Sequence, residues 1–125
     1  MKKNFFIMLA CIFTMLQASA KIWRVNNTGV PADFTTAQAA HDAAAVANGD
    51  TLHFEPSGTN YGNLSLTKRL IIIGNGYFLG SPATFSNPNL QANPASSSIS
   101  DIYIFTGGSN SVIMGMTFSN AYIGY

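Results

Sequence analysis

The chain has 125 residues, enough for one small domain. Only 9% of them are charged and 47% are hydrophobic, with a formal net charge of +1. That balance excludes a disordered chain and a nucleic-acid-binding one.

Residues 1–20 read as a secretory signal peptide. Lys2 and Lys3 form its positive end, Phe5 to Leu16 is an apolar run broken by Thr14, and Ala18-Ser19-Ala20 supplies the small residues before a cut. The run is shorter than the about 20 residues a membrane span needs, so a retained anchor is the weaker reading. Lipoprotein processing at Cys11, the lone cysteine, would strand Ile12, Phe13, Met15 and Leu16 at the new terminus. Cleavage after Ala20 leaves Lys21, Arg24, Lys68 and Arg69 against Asp33, Asp42, Asp50, Glu55 and Asp101, a net charge of −1. No basic patch remains for nucleic acid or a membrane surface, and no cysteine for disulfides or thiolate metal sites. The expected product is secreted or held at the cell surface, periplasmic or extracellular, with no membrane span once the signal is gone. A bacterial source suits the signal peptide, so the acceptor patterns Asn26-Asn27-Thr28 and Asn63-Leu64-Ser65 carry little weight.

Lys21 to Val25 alternates apolar and charged residues and predicts a short strand, closed by the turn residues Asn26 to Gly29. Thr35 and Gln38 form a capping box, which predicts a helix over about 36–48 that ends at Gly49. Its apolar face is Ala39, Ala40, Ala43, Val46 and Ala47, leaving His41 and Asp42 as solvated surface residues.

Residues 50–80 read as a first coil of three short strands. Thr51 to Glu55 alternates, with Leu52 and Phe54 on one face and His53 on the other. Asn63 to Thr67 alternates again after the turn at Pro56–Asn60. Arg69 to Ile73 is nearly all apolar, as in strands covered on both faces. Residues 81–100 form a Ser-, Asn- and Pro-rich loop, and strands resume over 101–125 as a second coil. Matching Leu52, Leu64 and Ile72 to Ile102, Val112 and Phe118 gives a repeat of about 25 to 30 residues once the loop is subtracted. The facing of the second coil stays open between Tyr103 and Phe105 inward and Ile102 and Ile104 inward, since a one-residue slip exchanges them.

The run from DFTTAQAAHDAA through GDTLHFEPSGTNYGNLSLTKRLIIIGNGY to GGSNSVIMGMTFSN resembles the start of right-handed parallel β-helix proteins of the pectin-lyase-like superfamily. Gly49, Asp50, Thr51, Lys68, Leu70, Gly74, Gly115 and Phe118 carry the likeness, over about residues 32 to 120. Ser57 and the Thr59-Asn60 pair depart from the pattern. The resemblance implies an all-β solenoid, a right-handed parallel β-helix of about two coils with an N-terminal capping α-helix. On that reading residues 21–125 are the N-terminal portion of a longer β-helix.

The family's chemistry does not carry over. Its lyases hold calcium with clustered carboxylates and its glycosidases need paired acids. Here Asp50, Glu55 and Asp101 are scattered, so no catalytic residue, metal ligand or cofactor is assigned. Gly74-Asn75-Gly76 and Gly107-Gly108 read as turns, because neither precedes a helix or a lysine. Ile71, Ile73 and Ile113 are expected outside the coils, covered by the 81–100 loop through Phe85 and Leu90. Outward Tyr103 or Phe105 would instead be candidates for stacking on a sugar ring. The expected role is structural, adhesive or glycan-associated, with polysaccharide or cell-surface glycan as partner. A polysaccharide lyase or glycosidase fragment with its residues in later coils is one alternative. A self-assembling surface module joined end to end through Ala121 to Tyr125 is another.

Overall fold

The computed structural model describes residues 19–76 and 95–124. The expected signal peptide lies outside them apart from Ser19 and Ala20, as do Phe85, Leu90 and their proposed covering of the sheet.

Among the described residues, seven strands and one short α-helix follow in the order β1 (Ile22–Val25), α1 (Ala37–Asp42), β2 (Thr51–Phe54), β3 (Leu64–Leu66), β4 (Ile71–Ile73), β5 (Ser98–Ile104), β6 (Val112–Met114) and β7 (Thr117–Ile123). They form two wholly parallel sheets, β1-β2-β4-β6 and β3-β5-β7. This corrects the expected closed β-helix of two three-stranded coils: the described residues form two sheets, not a closed solenoid. The stretch between β2 and β3 forms no strand of its own: side chains hold its turn, and beyond it Tyr61 N–H donates to the Ser98 carbonyl at 2.9 Å while the Gly62 carbonyl accepts from Ser100 N–H at 3.0 Å, carrying the chain toward β5. Thr59 N–H donates to Ser57 Oγ, Gly62 N–H to Asn60 Oδ1, and Asn27 Nδ2 to the carbonyls of Thr59 and Asn60.

The inward residues of both sheets meet in one core. Trp23, Val25, Leu52, Phe54 and Ile72 come from the first sheet, and Leu64, Leu66, Ile99 and Ile102 from the second. Phe54 meets Tyr61 edge-on at 5.0 Å, and the buried Tyr61 hydroxyl donates to the carbonyls of Val25 and Glu55. Alternation thus predicted β2 correctly, with Leu52 and Phe54 inward and His53 outward.

The register replaces the expected repeat. Leu52 pairs with Ile72 and Ile102 with Ala121, 20 and 19 residues apart. Leu64 pairs with Ile102 and Ile72 with Ile113. From β2 onward consecutive strands alternate between the two sheets, so counting three strands per unit puts the match out of phase. Ile113 consequently packs against the core instead of lying outside it. The loop expected to run to Ser100 ends earlier, at the first residue of β5, Ser98.

The helix also differs. Thr36, not Thr35, is its cap, with its hydroxyl accepting from Ala39 N–H at 3.2 Å. It stops at Asp42, six residues instead of about 13, and Ala43 is already extended at ψ 131°. The chain leaves the helix there because Lys68 Nζ donates to the carbonyls of His41 (2.8 Å), Ala43 (3.0 Å) and Val46 (3.0 Å). An ammonium has three N–H donors, one for each carbonyl that a longer helix would have bonded internally. Val46 gains full burial in the core by the same turn.

Candidate functional site

Among the described residues, the polar side chains that stand out are built into the frame. Asp50 is buried, with Oδ1 accepting from Lys21 N–H at 2.9 Å and Oδ2 from the Trp23 indole at 2.8 Å and Ala47 N–H at 3.0 Å. Burial pushes its carboxyl up, but these bonds outweigh that and hold it below its ordinary value. Glu55 is not the solvated residue its alternation predicts. Its carboxylate pairs with Arg24 and accepts from Asn26 Nδ2 at 2.6 Å, which against the opposing effect of burial keeps it deprotonated below its usual range.

His41 corrects the sequence reading most sharply, being buried where a solvated side chain is expected. Its Nε2 accepts from Thr67 N–H at 3.0 Å, so the ring proton is on Nδ1, which donates to Asp42 Oδ1 at 2.7 Å. Gln38 Oε1 accepts from Ser65 N–H at 2.8 Å, while its amide nitrogen donates to Asp42 at 2.8 Å. The helix therefore closes the outer edge of β3 with side chains instead of a strand. The His41 bond, chiefly, lowers the Asp42 carboxyl from its usual value. Asp42 itself is exposed, as expected.

All three shifts are downward, so these carboxylates add stability above their unfolded pKa range near 4 and lose it as pH falls through the lower folded values. Thermal unfolding followed by circular dichroism should show a steady midpoint from neutral pH to about pH 5 and a fall below about pH 4. A midpoint unchanged by acidification to about pH 2 would refute these assignments.

Asn75, read from sequence as a plain turn residue, clamps two segments together. Its side chain donates to the Ala95 carbonyl at 2.7 Å and accepts from Ser97 N–H at 2.8 Å, and the buried Ser97 hydroxyl reaches the Phe54 carbonyl at 2.8 Å. The neighbouring Gly74 has no room for a side chain, since a Cβ there would strike the Gly115 carbonyl. No three His, Cys, Asp or Glu side chains converge among the described residues.

What remains outward is aromatic and apolar. Ile102 faces the core, which puts Tyr103 on the outer face of the β3-β5-β7 sheet. Its ring stacks on Tyr122 of β7, with centroids 4.9 Å apart and planes 10° from parallel. Beside them Asn120 Nδ2 donates to Asp101 Oδ1 at 2.8 Å. Each stacked ring covers one face of the other, so the outer face of the exposed Tyr122 is the freer platform, a residue the sequence reading did not single out. Phe105 is exposed one step along, with its ring lying over Gly124.

The two ends of the structure are unlike. At the start, Arg24 N–H donates to Asp33, and Phe34 exchanges backbone bonds with Arg24 and Asn26, which closes the outer edge of β1. The β3 edge is closed by Gln38 and His41. At the other end β6 and β7 are the outermost strands of their sheets. There Phe118 and Ile123 continue the inward rows of Ile99 and Ile104, yet Phe118 is 40% and Ile123 78% exposed. Val112 and Met114 of β6 are exposed as well.

No family model matches the chain, and neither does any curated protein or solved structure. Among the described residues no helix is long and apolar enough to cross a membrane.

Proposed function

We propose that the protein is an exported structural or adhesive module that works by association, through the open end of its two sheets, and not by catalysis. The observation that carries this reading is the uncovered row of Phe118 and Ile123, core-facing residues with no layer beyond them among the described residues. Such edges and patches are sites of association. The opposite end is closed, so head-to-tail growth is blocked, and like ends meeting about a two-fold axis give a closed pair. Burying Phe118 and Ile123 is worth about 3–5 kcal/mol per copy, and the loss of free motion on association offsets much of the doubled gain. What is left, about 4–5.5 kcal/mol, corresponds to a dissociation constant of roughly 0.1–1 mM.

Sedimentation velocity on the purified chain should show mass rising with concentration through that range. Ile123→Glu should hold it monomeric with the thermal midpoint nearly unchanged. A natural chain that stays monomeric to about 1 mM would sink the proposal.

A glycan-associated role has separate support in the Tyr103–Tyr122 stack beside the Asp101–Asn120 pair. An apolar ring face next to a carboxylate and an amide suits a sugar, which offers C–H faces and hydroxyls together. Migration in gels containing a neutral or an acidic polysaccharide would be retarded, and Tyr122→Ala should weaken that retardation by roughly tenfold. Equal mobility with and without polysaccharide counts against this role. Release of unsaturated products from a polyuronate would overturn the non-catalytic reading itself.

A further inference from the structure

Asp50 presents an electrostatic imbalance. Its carboxylate is buried and ionised, yet its donors are two backbone amides and an indole, all neutral. The side-chain ammonium of Lys21 does not bond to it but lies over the Trp23 ring, 3.3 Å from the centroid. A buried charge held by neutral donors alone gains from any cation placed on it. The group already touching Oδ1 is the main-chain nitrogen of Lys21, the residue that follows Ala18-Ser19-Ala20.

We infer that cutting between Ala20 and Lys21 turns this nitrogen into an α-ammonium that pairs with the Asp50 carboxylate, so that processing itself completes the anchorage of β1. Hydrolysis by a signal peptidase adds one water across the peptide bond. The C–N bond breaks, Ala20 leaves as a carboxylate, and the Lys21 nitrogen keeps its electron pair and becomes an ammonium.

The site is shaped for this product. Ser19 and Ala20 are exposed, whereas Lys21 is tied to the sheet at both ends, its carbonyl accepting from Thr51 N–H at 2.8 Å. Scission there costs the sheet nothing and converts a neutral 2.9 Å hydrogen bond into a charge-assisted one, about twice as strong. Lys21 is also exposed, so the added N–H groups reach water. The uncut chain holds β1 with an amide and the cut chain with an ion pair, so part of the fold's stability arrives only after processing. An exported chain must stay unfolded until it has crossed the membrane, and this arrangement favours that order of events.

The experiment uses protein exported and processed by a bacterial host. Mass spectrometry of the natural product should give Lys21 as the first residue. A variant with a leucine inserted between Ala20 and Lys21 is still cut after Ala20, because leucine is too large for the position before the cut. Its ammonium is displaced by one residue. The insertion should lower the thermal midpoint by about 5 °C with Asp50 present and leave it nearly unchanged in the Asp50→Asn background. The α-amine of the natural product should also acylate several-fold more slowly at neutral pH than that of the inserted form, a comparison that needs no Asp50 variant. A first residue other than Lys21, an insertion effect equal in both backgrounds, or equal acylation rates would each overturn the inference.

Discussion

Asp50→Ala should destabilise the protein by about 3–5 kcal/mol, the cost of leaving the Trp23 indole and Ala47 N–H buried without an acceptor and freeing Lys21 N–H. A domain of this size has about 5–15 kcal/mol in total, so the variant still folds at low temperature with little margin. In urea its midpoint should fall by about 2 M with the slope unchanged. The damage should be local at first. Amides of β1 bonded to β2 should lose hydrogen-exchange protection ahead of the β3-β5-β7 sheet, because Asp50 joins the start of β1 to the segment leading into β2. A variant with the natural urea midpoint would show that the three bonds contribute nothing.

Lys68→Met should cost about 2–3 kcal/mol, since it removes the one charged donor from the carbonyls of His41, Ala43 and Val46. Methionine keeps most of the apolar stem, so the loss measures the ammonium and not the packing. Lys68→Arg should recover little of it. A planar guanidinium directs its donors in one plane and cannot reach three carbonyls that converge on a point. Thermal unfolding of the two variants beside the natural protein gives the comparison, and hydrogen exchange at Ala43 and Val46 reports the local loosening. Full rescue by arginine would mean that charge alone, and not its geometry, holds this turn.

His41 shows what one-dimensional reading misses. On a longer helix it shares the polar face with Asp42 and Asn48, and a surface position follows. The helix ends at Asp42, however, and its first turn lies against β3, so the ring enters the structure to bond Thr67 N–H. The same cause hid Lys68. Its role depends on carbonyls more than 20 residues away, and no local pattern marks a lysine that ends a distant helix. The shift of the capping residue from Thr35 to Thr36 is smaller but similar in kind, since either threonine can cap a helix and the contact with β3 selects between them.

The repeat failed for a different reason. Leu64 and Ile102 are register partners, although the sequence leaves the facing of Ile102 open. Periodicity says which residues of a strand share a face, but not which strand lies beside it. Whether Leu52 is matched to Ile72 or to Ile102 depends on how many strands each unit contributes. The sorting of strands into two sheets decides that, since Leu52 lies beside Ile72 in one sheet and Leu64 beside Ile102 in the other.

By itself, then, the sequence determined the strand segments as far as β4, the parallel character of the sheets and the burial of Leu52, Phe54, Leu64, Leu66 and Ile72, because alternation and apolar runs are local consequences of side-chain chemistry, whereas β5 starts within the expected loop and β7 runs on to Ile123. It also supplied Tyr103 and Phe105 as outward aromatics once one facing was chosen. Only the tertiary structure decided that facing, the pairing of strands into two sheets, the short helix, and the structural use of His41, Asp50, Glu55 and Lys68. Each of those depends on which polar groups, distant in the chain, must satisfy one another when the core closes, and that is a property of the packed molecule and not of any segment.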